Sequence, residues 1–500
     1  MELLLTNLAH GFAVAFTPTN ILFCLIGCLI GTAIGVLPGI GPVATISLLL
    51  PITFGQPATT AIIMLAGIYY GAQYGGSTTA ILLNLPGEVS SVVTTLEGYK
   101  MARRGRAGAA LATAALASFF AGTVATILVA ASGPLLTQVA LSFGPADYFS
   151  LMLLGLIISA VLAQGSVIKS IGMVVFGVAL GLVGTDVQTG QQRFTFGVPE
   201  LSDGIGFVPI AMGMFGIAEI VLNLERPESR NVLSTKVGSL FLTREEFKRA
   251  VPSVLRGTVT GSLLGILPGG GAALSSFGSY MMERKVSRGR NEFGTGAIEG
   301  VAGPEAANNA ASQTSFIPLL TLGIPANAVM ALMVGALIIQ GIQPGPRMVE
   351  AQPDLFWGLI ASMWIGNVML LIINLPMIGM WVQLLAVPYR YLYPSILVFC
   401  SIGVYSLNNN VFDVYMTILF AIFGYLCSKL KMEPAPLLIG FVLGPMMEEH
   451  LRRAMLLSRG DWGVFIERPI SASMLAIGAV AIIAMALPNL RKGKEKALAG

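Results

Sequence analysis

Two runs of hydroxyl and carboxamide side chains lie in long stretches without charge. The first carries Gln73, Ser77, Thr78, Thr79 and Asn84, and the second carries Asn308, Asn309, Ser312, Gln313 and Thr314 behind Glu305. Their oxygens are hard neutral ligands suited to Na⁺, and their O–H and N–H groups can hold a carboxylate. A lone Ser or Thr in a membrane helix more often bonds its own backbone or serves close packing. Adjacent carboxamides such as Asn308 and Asn309 are costly in lipid without partners, which makes them the stronger site candidates. Lys169, Glu219, Glu305, Asp413 and Glu433 border apolar runs, where each can keep its charge at an interface. Glu305 opens the second polar run and is the candidate for proton or cation coupling.

A repeated motif accompanies these runs. GTAIGVLPGIGP at Gly31 to Pro42 recurs as GSLLGILPGGGA at Gly261 to Ala272, with Gly31, Gly35, Leu37, Pro38, Gly39 and Gly41 identical to Gly261, Gly265, Leu267, Pro268, Gly269 and Gly271. A weaker echo follows each copy, Leu83-Asn84-Leu85-Pro86 against Leu322-Gly323-Ile324-Pro325. Pro removes a backbone donor and Gly admits φ > 0, so Leu-Pro-Gly-x-Gly stops a helix. The bared backbone is tolerable at membrane depth only when buried in protein or lining a wet cavity. In secondary transporters such paired breaks form the site: half-helix N-termini face anions and unwound carbonyls hold cations. Gly75-Gly76 is expected to break the helix that carries the first polar run.

The elements that must position these residues are membrane helices. The chain of 500 residues has 25 acidic and 29 basic side chains, 11% of the total, is 55% hydrophobic and has a mean hydropathy of +0.79. Soluble domains carry about a quarter charged residues, so a soluble enzyme is excluded. The net charge of +4 is too small and scattered for nucleic-acid binding. No Asp, Glu, Lys or Arg occurs between Glu2 and Glu88, from Ala107 to Ala146, or from Ala306 to Pro346, and each gap exceeds the roughly 20 residues of a membrane-crossing helix.

The expected fold is an all-α polytopic membrane protein of about 12 transmembrane helices, in two inverted-topology repeats with broken or re-entrant helices. Basic clusters at Lys100 to Arg106, Arg226 to Arg249, Arg284 to Arg290 and Arg491 to Lys496 place those loops inside, and the loops around Arg193 and Arg347 outside. The division is an N-terminal repeat over 1–224, a polar cytoplasmic linker over 225–251 and a C-terminal repeat over 252–500. Thr243 to Glu246 reads as a capping box opening a short amphipathic helix that ends at Pro252. The helix before the first break starts beyond a segment free of Lys and Arg, and the helix before the second starts beyond the basic linker, so the two should run in opposite directions. The N-terminus lacks the basic n-region of a secretory signal and is expected to stay on the mature protein. Cys24, Cys28, Cys400 and Cys427 read as small apolar packing residues. No nucleophile elbow, P-loop or zinc spacing is present, so neither an enzyme nor an ATP-driven pump is expected.

At these residues the sequence resembles the large membrane subunit of the tripartite tricarboxylate transporters, the TctA family. GVLPGIGPVATISLLLP, YGGSTTAILLNLPGE, EGYKMARRGRAG, GILPGGGAALSSFGSYMMERK and EAANNAASQTSFIPLLTLGIP all read as that family's motifs, in its order. The resemblance implies a secondary-active importer in the bacterial cytoplasmic (inner) membrane, without cofactor and driven by Na⁺ or H⁺. Its implied partners are a small four-helix membrane subunit and a periplasmic solute-binding protein. Its implied cargo is a small organic carboxylate, a tricarboxylate such as citrate or a related di- or aromatic carboxylate. Carried over residue by residue, the substrate and cation site comprises Pro38, Gly39, Gly41, Ser77, Thr78, Asn84 and Pro86, with Pro268, Gly269, Gly270, Gly271, Asn308, Asn309, Thr314 and Pro325 in the second half. The alternatives are an ion-conducting channel, which would show uncoupled flux, and an anion carrier that works without a binding protein.

Overall fold

Proline in the first turn, where its missing N–H costs nothing, starts several of the long helices. The computed structural model describes residues 2–37, 41–163, 166–186, 188–225, 238–384 and 392–486. The first part of the chain forms α1 (Glu2–Ala15), α2 (Pro18–Val36), α3 (Pro42–Thr53), α4 (Ala58–Leu83), α5 (Val92–Met101), α6 (Ala107–Leu141), α7 (Pro145–Leu162) and α8 (Val167–Gly181). A two-stranded hairpin follows, β1 (Gly184–Thr185) and β2 (Gln192–Arg193), antiparallel with Gly184 opposite Arg193. Next come α9 (Phe207–Ala211) and α10 (Ala218–Leu224), joined by a π-helical turn into one rod.

Beyond the polar segment lie α11 (Arg244–Gly265), α12 (Gly271–Val286), α13 (Glu299–Thr314), α14 (Phe316–Leu322), α15 (Ala328–Ile339), α16 (Met348–Ala351) and α17 (Pro353–Asn374). The chain closes with α18 (Ile378–Leu384), α19 (Leu392–Asn408), α20 (Val411–Lys429), α21 (Ala435–Leu457), α22 (Val464–Glu467) and α23 (Pro469–Ala486). Among the described residues, 6 helical stretches are long and apolar enough to cross a membrane, including Pro18–Val36, Pro145–Leu162 and Pro353–Asn374. Further apolar helices such as Pro42–Thr53 and Ala328–Ile339 are shorter, because breaks cut the apolar runs. α4 is buried from Thr60 to Leu83, with its polar side chains facing other helices rather than lipid.

Two helix pairs carry the site, and glycines set how close they come. A Cβ built on Gly27, Gly31 or Gly35 of α2 would lie 2.3, 2.4 and 2.4 Å from the carbonyl oxygens of Met64, Ile68 and Ala72 on α4. On Gly257, Gly261 and Gly265 of α11 it would lie 2.2, 2.1 and 2.6 Å from those of Gly303, Ala307 and Ala311 on α13. Both pairs are small-xxx-small contacts in which backbone rests on backbone.

Both breaks in the Leu-Pro-Gly-x-Gly motif are present. α2 ends at Val36 and α3 starts at Pro42, while α11 ends at Gly265 and α12 starts at Gly271. The echoes also agree, since Asn84 after α4 and Gly323 after α14 both adopt the left-handed conformation, with φ of 58° and 73°.

Two expectations fail. α4 runs unbroken through Gly75 and Gly76: a Cβ on Gly75 would sit 2.3 Å from the Thr32 carbonyl oxygen, and one on Gly76 would meet Glu88. These glycines admit neighbours rather than bend the helix. Nor does Pro252 end a helix. The Thr243–Glu246 capping box forms, but α11 continues through Pro252, which faces solvent along with Lys248, the residue whose carbonyl loses its donor. Water can satisfy that carbonyl.

Two of the basic clusters dock on the segment that follows the third. Lys100 donates to the Gly294 carbonyl at 2.6 Å, Arg106 pairs with Glu246, and Arg249 bridges Glu292 and Glu299 at 2.8 Å each. Arg491 to Lys496 lie outside the described residues. At the hairpin, the Gln188 amide, the Thr189 hydroxyl and Arg452 hold the Asp186 carboxyl down at about 2. The Arg452–Asp186 pair at 2.9 Å and the Arg193–Glu448 pair at 2.7 Å fasten the hairpin to α21.

Candidate functional site

The two polar runs face each other. Glu305, in the second turn of α13, is fully buried, and its carboxyl accepts from Ser77 Oγ at 2.6 Å, from Thr94 Oγ1 and from Asn308 Nδ2 at 3.3 Å. These donors come from α4, α5 and α13 itself. Asn309 Nδ2 donates to Ser118 Oγ on α6 and to Asn308 Oδ1, both at 2.7 Å. Hydroxyls and a carboxamide from three helices thus converge on one carboxyl, and Ser118 of a fourth joins through Asn309.

Most of the other buried acids are treated differently. Asp147, Glu283 and Glu299 each take an arginine, Arg468, Arg256 and Arg249. Glu97 takes the backbone N–H groups of Gly294, Gly296 and Ala297 and the Tyr280 hydroxyl. Glu305 has neither a basic partner nor a backbone amide among these contacts. An isolated carboxylate in such a setting is costly, so a proton or a bound cation must balance its charge. Among the described residues no three His, Cys, Asp or Glu side chains gather to hold a metal ion. The donors on offer to a cation at Glu305 are hydroxyls, carboxamides and its own carboxyl.

The first break adjoins the cluster. Thr79, two residues past Ser77, donates to the Val36 carbonyl at 2.6 Å, tying the end of α2 to α4. Gly87 comes so close that a Cβ there would lie 1.9 Å from the Gly35 carbonyl oxygen. Next to it, Glu88 accepts from Gln73 Nε2 at 3.3 Å, and Ser90 donates to Gln73 Oε1 at 2.7 Å and also bonds the Glu88 carboxyl.

The candidate residues fall into separate places. Ser77, Thr78, Glu305, Asn308 and Asn309 gather in or beside the cluster. Pro38 and Gly39 lie outside the described residues, while Gly41 caps α3, its carbonyl accepting from Thr45. Asn84 is exposed and lines an open groove with Tyr99, Lys100, Arg103 and Arg104; Pro86 follows it, half-buried. At the second break Pro268 lies in the turn, Gly269 donates to the Ala326 carbonyl at 2.7 Å, Gly270 donates to Leu267 at 3.0 Å, and Gly271 starts α12 beside Asn327. Pro325 is buried in that same link. Asn327 reaches Tyr69 of α4 at 3.3 Å. Thr314 bonds the Ala310 carbonyl at 3.1 Å and faces Gly265, away from the carboxyl.

Sequence reasoning missed Thr94, Ser118, and Glu88 and Ser90 as the partners of Gln73. Thr94 and Ser118 sit beyond the polar runs in otherwise ordinary segments, and only the packing of α5 and α6 against α13 brings them in. Glu88 reads in sequence as the end of a charge-free run.

Fold and site together define a multi-pass membrane protein that buries a carboxyl without a basic partner among carboxamides and hydroxyls of its helix bundle. The chain belongs to the tripartite tricarboxylate transporter TctA family, whose family model matches residues 21–439. It is 60% identical over 493 residues, 99% of this chain and 98% of the relative, to an uncharacterized 52.8 kDa protein in the TAR-I ttuC' 3' region of Agrobacterium vitis. A second Agrobacterium vitis protein, uncharacterized and from the TAR-II ttuC' 3' region, is 62% identical over 236 residues, 47% of this chain and 98% of that protein. No solved structure matches the chain.

Proposed function

We propose that this chain is the large membrane subunit of a tripartite secondary transporter of the bacterial inner membrane. It imports an organic carboxylate, a tricarboxylate such as citrate or a related di- or aromatic carboxylate, with a small four-helix subunit and a periplasmic binding protein. A cation gradient drives the import. The observation that carries the coupling is Glu305: a buried carboxyl held by hydroxyls and carboxamides alone needs a proton or a cation whenever it is ionised. Binding and release of that positive charge can then be linked to which side of the membrane the site faces. The substrate, itself anionic, is received by backbone dipoles at the two helix breaks and by Asn side chains.

Asn309 orients the cluster through Ser118 and Asn308. Asn309→Ala is therefore expected to reduce binding-protein-dependent uptake of the cognate acid by at least tenfold, since it strands buried polar partners at a cost of about 1–3 kcal/mol, while leaving membrane insertion intact. Uptake of radiolabelled acid in cells expressing all three components measures this, and unchanged uptake overturns the reading.

We further infer that the halves are inverted repeats, 1–224 and 252–500, joined by the linker at 225–251. The matching glycine contacts of α2 on α4 and of α11 on α13 support equivalence. The charge distribution supports opposite directions, because α11 opens with Arg244, Lys248 and Arg249 and the segment before α2 has no Lys or Arg. Reporters fused near Asn20 and near Arg249 should then report opposite sides of the membrane; a shared side rejects the inversion.

A further inference from the structure

A small cavity lies against the Glu305 cluster, on the far side of Ser77 and Ser118. Tyr74, Ser77, Thr78, Ser118 and Asn374 form its polar wall, and aliphatic side chains of α6 and α18 form the rest. Its volume of about 10 Å³ is close to what a single water molecule needs. That is far too little for a carboxylate, and suited to one small ion.

Asn374 is what distinguishes it. This residue ends α17, outside the elements that carry the two polar runs, and is 5% exposed. Its Nδ2 donates to the Leu370 carbonyl at 2.9 Å and to Thr32 Oγ1 at 3.4 Å, which fixes the amide, and its Oδ1 is left with no donor. Natural proteins rarely leave such an acceptor unmet. The neighbouring hydroxyls also have electron pairs to give. Ser77 spends its proton on Glu305, Ser118 receives Asn309, and Tyr74 spends its proton on Asn367 at 2.7 Å. The wall therefore offers oxygen lone pairs, and a carboxyl stands one hydroxyl away, where low dielectric strengthens its pull on a positive charge.

We propose that this cavity is a binding site for a dehydrated monovalent cation of Na⁺ size, held by Asn374 Oδ1, Ser77 Oγ, Thr78 Oγ1 and Ser118 Oγ and balanced by Glu305. Hard neutral oxygens with one nearby carboxylate suit Na⁺, and the small volume disfavours K⁺. As the identity of the coupling ion, the proposal rests on the transport reading above; as a cation site, it does not.

The test is thermal unfolding of the purified full-length protein in NaCl, KCl or choline chloride at equal ionic strength, together with ²²Na⁺ binding. Na⁺ should raise the melting temperature saturably and the other salts should not. Asn374→Ala should raise the half-saturating Na⁺ concentration by about tenfold or more, the factor that about 1.4 kcal/mol of lost ligand energy implies, whereas Asn374→Asp, which keeps the oxygen, should retain Na⁺ binding. Thr78→Val should weaken it as well, and carries the test if Asn374→Ala fails to fold. Melting indifferent to Na⁺, or a Na⁺ response unaltered in both Asn374→Ala and Thr78→Val, overturns the site and leaves the cavity to water. Na⁺-independent carboxylate uptake with Na⁺-indifferent melting sinks the site and spares the transporter. Saturable Na⁺ binding without any carboxylate uptake in the three-component system sustains the site and sinks the transporter.

Discussion

Glu305→Gln is expected to abolish gradient-driven accumulation while leaving the protein folded and in the membrane. The carboxamide has nearly the shape of the carboxyl and can still accept from Thr94. Its N–H₂ group, however, faces Ser77 and Asn308, which donate to the carboxyl in the native protein at 2.6 and 3.3 Å. Ser77 has an alternative acceptor in the Gln73 carbonyl at 3.1 Å, so the clash is partly relieved, and the cost falls near the lower end of the roughly 1–3 kcal/mol for a disturbed buried hydrogen bond.

The loss of charge is the larger effect. A buried ion whose partner is removed loses about 3–5 kcal/mol, which for a coupling cation is roughly a hundred- to several-thousandfold in affinity. Accumulation of labelled carboxylate against a gradient should disappear, whereas exchange of labelled for unlabelled carboxylate, which needs no net coupling, should persist. Glu305→Ala should do worse, because it orphans Ser77, Thr94 and Asn308 together and so destabilises the bundle. Wild-type accumulation by Glu305→Gln would remove the coupling role from this residue altogether.

How far the sequence leads to this centre depends on the range over which each feature acts. The Leu-Pro-Gly-x-Gly breaks are legible because Pro and Gly act on their own backbone: α2 stops at Val36 and α11 at Gly265 whatever packs around them. Glu305 and the Asn308-Asn309 pair are legible because polarity at helix depth demands a partner. What is not legible is who that partner is. Thr94, Ser118 and Asn374 resemble any Ser, Thr or Asn in an apolar segment, and their roles arise only when α5, α6 and α17 are packed against α4 and α13. Asn84 illustrates the converse. It sits in the polar run, yet the left-handed turn after α4 carries it out to a groove with Lys100, Arg103 and Arg104. Gly75 and Gly76 read as helix breakers, and instead serve close approach, because glycine's missing side chain matters more there than its backbone freedom.

That ambiguity of glycine makes the second large prediction. Gly261→Ala is expected to destabilise the protein severely and to silence it, while Gly41→Ala, in the equivalent motif of the other half, is expected to leave stability nearly unchanged. At Gly261 the new Cβ would lie 2.1 Å from the Ala307 carbonyl oxygen and 2.7 Å from its Cα. Both are backbone atoms, so no rotamer change relieves the clash and α11 must move away from α13. Overpacking of this kind costs about 1–3 kcal/mol, occasionally more, and Gly31→Ala, at 2.4 Å from the Ile68 carbonyl oxygen, should behave alike.

The displacement also reaches the site. Gly257 rests on Gly303 and Gly261 on Ala307, so Glu305 lies between the two points where α11 supports α13, and separating the helices shifts its carboxyl from Ser77 and Thr94. Gly41, by contrast, has nothing among the described residues within 4 Å of a built Cβ and an ordinary φ of −77°, so alanine there costs under about 1 kcal/mol, the usual penalty for a poorer helix cap. All four cysteines are buried, so a thiol-reactive dye reports unfolding directly. Gly261→Ala should become reactive at a markedly lower temperature than wild type and Gly41→Ala at nearly the same one. Equal melting of the two variants would mean that α11 and α13 do not meet backbone to backbone, and the geometry that holds Glu305 in place would have to be given up with them.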